Sequence, residues 1–268
     1  MSEINTIVVK VGSSTITHAG GGLDLLHIEK LVRTLSDFQN MGKRVVLVSS
    51  GAVAVGVSKL GLDKKPKDTP GKQAAAAVGQ CELMFIYDKF FSEYNNTVAQ
   101  VLLTKDATEN PERRQNIINT MRRLMESRVI PIINENDTVS TEELEFGDND
   151  TLSAIVATLV DADTLVLLTD VDGLYEKNPQ KNARARRIPV VLKINDDILA
   201  LAGDTESDVG TGGMITKLNA AEIATSHGID MYIASGRDPS ILYDIIDGKS
   251  VGTLFVAREP GDKDEKEE

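Results

Sequence analysis

The chain has 268 residues, 41% of them hydrophobic, only 4% aromatic and none tryptophan, so a globular core must be built from Val, Ile, Leu and Ala. A formal net charge of −12 speaks against nucleic acid or an anionic membrane as partner, because the protein's overall field repels both. The single cysteine, Cys81, excludes an intrachain disulfide framework, and His18, His27 and His227 are scattered without metal-ligand spacing, so no protein metal site is expected.

Short β-branched runs alternate with helical patterns along the chain. Thr6–Val11 reads as a strand. Ile28, Leu31, Val32, Leu35 and Phe38 share one face of a helix over Leu25–Met41, closed by Gly42. Arg44–Ser49 is a second strand. Thr69 and Pro70 read as N-cap and first residue of a helix running towards Tyr94. Cys81 falls in its Ala-rich part and is expected as a buried small hydrophobe. A strand at Thr97–Thr104, a helix near Arg113–Ser127 and a strand at Val129–Asn134 follow. The polar Glu135–Asp148 stretch suits a small hairpin. Asp150 opens a helix through Val160, and Thr164–Thr169 is another strand.

After Gly173 the pattern is irregular until a helix at Met214–His227. A strand at Asp230–Ala234, a short helix at Ser240–Ile246 and a strand at Gly252–Val256 complete the series. The last ten residues hold six acids and two lysines and read as a solvated, disordered tail. One domain over 1–256 and an acidic tail over 257–268 are therefore expected. No apolar run approaches ~18 residues, and the N-terminal MSEINTIVVK lacks a basic region followed by an apolar one, so a cytoplasmic location is expected.

Continuous apolar strands imply burial on both faces. The expected fold is α/β: a three-layer α/β/α sandwich around a mainly parallel sheet. Ligands then belong at the carboxyl ends of the strands. Those ends carry Lys10-Val11-Gly12-Ser13-Ser14, Ser49-Ser50-Gly51-Ala52, Asn134-Glu135-Asn136-Asp137 and Thr169-Asp170-Val171-Asp172-Gly173. Turn chemistry alone enriches the same residue types, but four such loops at one sheet end point to a polar site.

Two nucleotide motifs are absent. There is no G-x-x-x-x-G-K-[ST], and no G-x-G-x-x-G after the first strand; Gly210-Thr211-Gly212-Gly213-Met214 fails that pattern at its last position. The missing side chain of Gly12 instead admits a phosphate to backbone N–H groups. Gly212-Gly213-Met214-Ile215-Thr216-Lys217 lies where a helix opens and favours an anion. A lysine so near a helix start opposes the dipole, which hints at another use. Taken singly, Lys10 and Lys217 read as surface lysines, Asp150 as a helix N-cap, and Asn134–Asp150 equally well as an ordinary polar hairpin.

Taken together, Lys10–Ser14, Ser49–Val53, Asn134–Asp137, Phe146–Asp150 and Gly212–Lys217 resemble the glutamate 5-kinases, within the wider amino acid kinase family, in order and separation. Lys-x-Gly-Ser alone points only to the wider family; the Asn134–Asp150 segment singles out glutamate. The likeness extends to about Val256. It implies the amino acid kinase fold and transfer of phosphate from ATP to the γ-carboxylate of L-glutamate, the first step of proline biosynthesis. It also implies Mg²⁺ carried mainly by ATP, a homo-oligomer (dimer or tetramer) and proline as a feedback inhibitor. The further C-terminal, RNA-binding-like domain of many such enzymes is not expected here.

A carboxylate is already ionised at neutral pH, with a pKa of ~4.3, so no general base is required. The resemblance makes Lys10 and Lys217 the charge-neutralising pair, with Gly12 holding the γ-phosphoryl and Asp150 aiming both lysines. Ser50, with the neighbouring N–H groups of Gly51 and Ala52, and Asn134, Asp137 and Asn149 would hold the amino acid, with Asp148 in support. Thr169 and Asp170 would touch the ribose or adenine side of ATP, and Thr211, Gly212, Gly213, Met214, Ile215, Thr216 and Lys217 its phosphates. The rival readings are another amino acid kinase (acetylglutamate, aspartate, carbamate or UMP), a non-enzymatic ATP and amino-acid sensor and, disfavoured by charge, an RNA-binding protein.

Overall fold

The computed structural model describes residues 3–18, 20–139, 148–179, 182, 184–203 and 213–259. In chain order the elements are β1 (Thr6–Val11), α1 (Ser13–Ile16), α2 (Leu25–Asn40), β2 (Arg44–Ser49), α3 (Ala52–Lys59), α4 (Thr69–Glu93), β3 (Thr97–Leu103), α5 (Lys105–Glu109) and α6 (Pro111–Glu126). They continue with β4 (Val129–Glu135), α7 (Asn149–Leu159), β5 (Thr164–Thr169), β6 (Val190–Val191), α8 (Asp196–Gly203), α9 (Met214–Ser226), β7 (Asp230–Ser235), α10 (Ile241–Ile246) and β8 (Thr253–Phe255).

The strands form one sheet in the order β3-β4-β2-β1-β5-β7-β8-β6, parallel throughout except where β8 runs against β7. This is the expected three-layer sandwich. Residues of β1, β2 and β5 are buried on both faces, as continuous apolar runs require. Strand parity divides the core. Ile7, Val9 and Val11 of β1 pack with Ile28, Leu31, Leu83 and Tyr87 from α2 and α4. Val8 packs on the opposite side with Leu152 and Val156 of α7 and Leu218 and Ala221 of α9. Lys10, two residues beyond Val8, therefore emerges on the α7–α9 side at the carboxyl end of β1.

Several local expectations are corrected. Asp68, not Thr69, caps α4, its carboxylate accepting from Gly71 N at 2.8 Å. Asp148, not Asp150, caps α7, accepting from Thr151 N at 2.8 Å. In both cases the acid three residues before a free N–H outcompetes the residue nearer the apolar run. Cys81 is exposed: it lies on the outer face of α4 while Ala75, Ala76, Gly79 and Leu83 face inward. The irregular stretch after Gly173 contains β6 and α8, and α1, α3 and α5 were not foreseen, being too short or too uniformly small to show periodicity. Most of the expected Glu135–Asp148 hairpin lies outside the described residues, as do the end of the acidic tail, Thr211 and Gly212. Among the described residues no helix is long and apolar enough to cross a membrane.

Candidate active site

Because β1, β2, β4 and β5 are parallel, the loops that leave them gather at one sheet end, and α7 begins directly across them. Asp150 lies in the first turn of α7 and is 1% exposed. Lys10 Nζ stands 2.6 Å from its Oδ1 and Lys217 Nζ 3.1 Å from its Oδ2; the lysines are 8% and 5% exposed. Thr216 Oγ1 donates to the same Oδ2 at 3.0 Å. Two ammonium groups thus share one carboxylate, and the cluster carries one net positive charge. Burial by itself drives the Asp150 pKa up, but the charges of Lys10 and Lys217 outweigh it and hold the carboxyl below the usual range. Asp148, half-buried and facing the Asp150 charge, is shifted the other way, upward, with desolvation the main cause.

Gly12, between β1 and α1, leaves the space in front of Lys10 open: a Cβ built there would lie 3.7 Å from Lys10 Nζ. Gly51 has φ +103°, which a side chain would rarely adopt, and a Cβ would meet Ile16 Cδ1 at 3.0 Å. Glycine here lets the chain turn sharply from β2 into α3 against α1. Ala52 is the first residue of α3, buried beneath α4.

Next to the charged cluster is a chain of polar side chains. Asn149 Nδ2 donates to Ser50 Oγ at 2.8 Å and to Asn134 Oδ1 at 2.9 Å. Asn134 Nδ2 donates to Gln80 Oε1 at 2.9 Å, and Asn134 Oδ1 also accepts from Glu135 N at 2.9 Å. Beneath them the buried Ser49 and Tyr87 hydroxyls meet at 2.8 Å, and Ser49 Oγ donates to Ser50 O at 3.1 Å. Burial raises the Tyr87 pKa to about 12. Neither Gln80 nor Tyr87 carried a signal in the sequence: both sit within an Ala-rich helix whose contacts with β2 and β4 exist only in the folded chain.

The structure thus brings Lys10, Asp150, Thr216 and Lys217 into one cluster and Ser50, Asn134 and Asn149 into an adjoining one. Asp137 is half-buried in the turn after β4, at the same sheet end. Thr169 and Asp170 end β5, where Thr169 Oγ1 donates to Asp170 Oδ1 at 2.9 Å and Thr169 O accepts from Gly236 N at 2.6 Å. Gly213 precedes α9, and its carbonyl lies 2.8 Å from Thr216 Oγ1, sharing that hydroxyl's one proton with Asp150 Oδ2. Met214 packs towards the core, whereas Ile215 is exposed.

The profile of the amino acid kinase family matches residues 5–235 of this sequence. The chain belongs to the amino acid kinase family. Among the family's members it is 54% identical to a glutamate 5-kinase of Clostridium perfringens (strain 13 / Type A) over 262 residues, covering 96% of this chain and 97% of that one. It is 53% identical to a glutamate 5-kinase of Clostridium tetani (strain Massachusetts / E88) over 257 residues, covering 96% of each. The fold is also that of a carbamate kinase from Giardia lamblia bound to AMP-PNP, with a TM-score of 0.66, 19% identity, and 96% and 100% of the two chains covered. The amino acid kinase fold thus persists where most side chains differ.

Proposed function

We propose that this chain transfers the γ-phosphoryl group of ATP to the γ-carboxylate of L-glutamate, giving L-glutamyl 5-phosphate and ADP, the first step of proline biosynthesis. The observation that carries the reading is the convergence of Lys10 and Lys217 on Asp150 beside the Ser50–Asn149–Asn134 cluster. The identity with glutamate 5-kinases supports the choice of acceptor.

The chemistry needs two mutually repelling anions brought in line. A carboxylate oxygen of the acceptor forms the new bond to γ-phosphorus as the bond to the β,γ-bridging oxygen breaks, and ADP leaves with that electron pair. No proton moves, so positioning and charge neutralisation do the work. Lys10 and Lys217 neutralise the transferring group and the leaving phosphate. Asp150, ionised and buried between them, holds both ammonium groups in place. The Gly12 N–H group meets phosphoryl oxygens, the Gly51 N–H group stands beside Ser50 for the acceptor, and Gly213–Lys217 follows the phosphates. Thr169 and Asp170 take the ribose or adenine side. Both Asp150 oxygens are already engaged by cations, which suits a Mg²⁺ ion held by phosphates and water rather than by this carboxylate.

Ser50, Asn134, Asn149 and Asp137, with Ala52 and Asp148 behind them, hold the α-amino and α-carboxylate groups. The same reading includes a cytoplasmic homo-oligomer, dimer or tetramer, inhibited by proline, with the kinase domain spanning 1–256. A coupled ADP-release assay with Mg-ATP and a panel of glutamate, acetylglutamate, aspartate, carbamate and UMP tests it. Turnover that depends on glutamate is expected. Faster turnover with another acceptor, or none with any, overturns it.

A further inference from the structure

Gln80 belongs to no loop that ends a strand, yet it closes the polar chain of the acceptor pocket. It projects from α4, which is pressed unusually close to the start of α3: a Cβ on the neighbouring Gly79 would lie 1.8 Å from Ala52 O and 2.5 Å from Gly56 N. That close approach brings Gln80 up to β4, where Asn134 is buried.

The hydrogen bonds in this chain have a direction. Glu135 N can only donate, so it holds Asn134 Oδ1 as an acceptor on its side. The Asn134 amide nitrogen then faces Gln80, whose Oε1 receives it. With Asn134 Oδ1 fixed, Asn149 must present its nitrogen, and its two N–H groups are taken by Asn134 Oδ1 and Ser50 Oγ. Two consequences follow from donor counting. Asn149 Oδ1 is turned away from these partners as an acceptor. Ser50 Oγ, already accepting, keeps its own proton to donate.

We propose that Gln80 is a positioning residue for the amino-acid acceptor. With Glu135 N holding Asn134 Oδ1, Gln80 anchors the other end of that amide and, through it, leaves Asn149 Oδ1 to accept from the α-ammonium and Ser50 Oγ to donate to a carboxylate of the acceptor. The proposal rests on the glutamate kinase reading above. Loss of the Gln80 acceptor leaves a buried Asn134 N–H unpaired; because Glu135 N forbids a flip of the amide, the side chain relieves this by shifting away from the leucine, which displaces the Oδ1 that aligns Asn149.

The test compares Gln80→Leu, which removes the acceptor, with Gln80→Glu, which keeps it, in the full chain by steady-state ADP release. KM does not depend on the fraction of folded enzyme, and KM for ATP serves as the internal control. In Gln80→Leu, KM for glutamate is expected to rise about tenfold, one unpaired hydrogen bond's worth, while KM for ATP and kcat stay within about threefold. In Gln80→Glu, most of the rise should be absent. An unchanged glutamate KM in Gln80→Leu, a parallel rise in both KM values, or a Gln80→Glu as impaired as Gln80→Leu overturns the positioning role. Wild-type enzyme without glutamate turnover would instead defeat the parent reading, so the two failures are distinct.

Discussion

Replacing Asp150 by Asn preserves the size of the side chain and removes the one negative charge between two buried ammonium groups. At an effective dielectric of about 20, separations of 2.6 and 3.1 Å correspond to attractions of roughly 6 and 5 kcal/mol. Desolvation of three ions offsets much of this. The measured effect of breaking such a buried arrangement is therefore closer to about 3–5 kcal/mol. An amide can still accept through Oδ1 from one lysine, so Asp150→Asn should lie near about 3 kcal/mol, a fall in Tm of roughly 5 °C for a chain of this length. The activity loss should be larger. With the carboxylate gone, Lys10 and Lys217 repel each other and neither is held at the transferring group; loss of one preorganised donor lowers kcat about 10²–10³-fold, and this change disturbs two. Net charge in the cluster rises from one to two positive, so KM for ATP should not increase. The expected signature is a kcat reduced at least about 300-fold with ATP affinity kept or improved, read by coupled ADP release beside a thermal melt. A kcat within threefold of wild type would refute Asp150 as the organising group; a kcat loss with an equal loss of ATP affinity would point to general collapse of the pocket instead.

The same carboxylate predicts a pH dependence. Its folded pKa is lowered, so its stabilising contribution is complete above the unfolded value of about 3.9 and is lost as pH falls through the lower, folded value. Wild type should therefore lose stability below about pH 4 that Asp150→Asn, already without it, does not lose; parallel melting curves in acid would contradict this. Lys10→Ala or Lys217→Ala should each lower kcat by at least about a hundredfold, and near-normal turnover in either removes that lysine from the chemistry. Asp137→Ala should raise KM for glutamate far more than KM for ATP, whereas an equal rise would move Asp137 out of the acceptor pocket. Gly79→Ala puts a methyl carbon 1.8 Å from a backbone oxygen, so α3 and α4 must separate, at about 1–3 kcal/mol or more. A melting temperature unchanged from wild type would show that the helices do not pack this closely.

What local sequence determined is what local forces control. The buried strands β1, β2 and β5 were legible residue for residue, because apolar β-branched runs of strand length leave few alternatives when both faces are covered. The amphipathic face of α2 and the parallel sheet followed from the same patterns. The helix caps were misjudged by one or two residues, since Asp68, Thr69, Asp148 and Asp150 all suit a first turn and only the geometry of the free N–H groups selects among them.

The site was legible in part. Lys10, Asp150 and Lys217 could be nominated from their motifs, but each alone was indistinguishable from a surface charge or a cap. Only the parallel strand order, which stacks the ends of β1, β2, β4 and β5 and sets α7 and α9 across the same face, brings two lysines to one carboxylate 67 residues from the nearer of them. Gln80 was not legible at all. Its place at Asn134 depends on α4 pressing against α3 through two glycines, a contact between separate helices that no periodicity within either helix encodes.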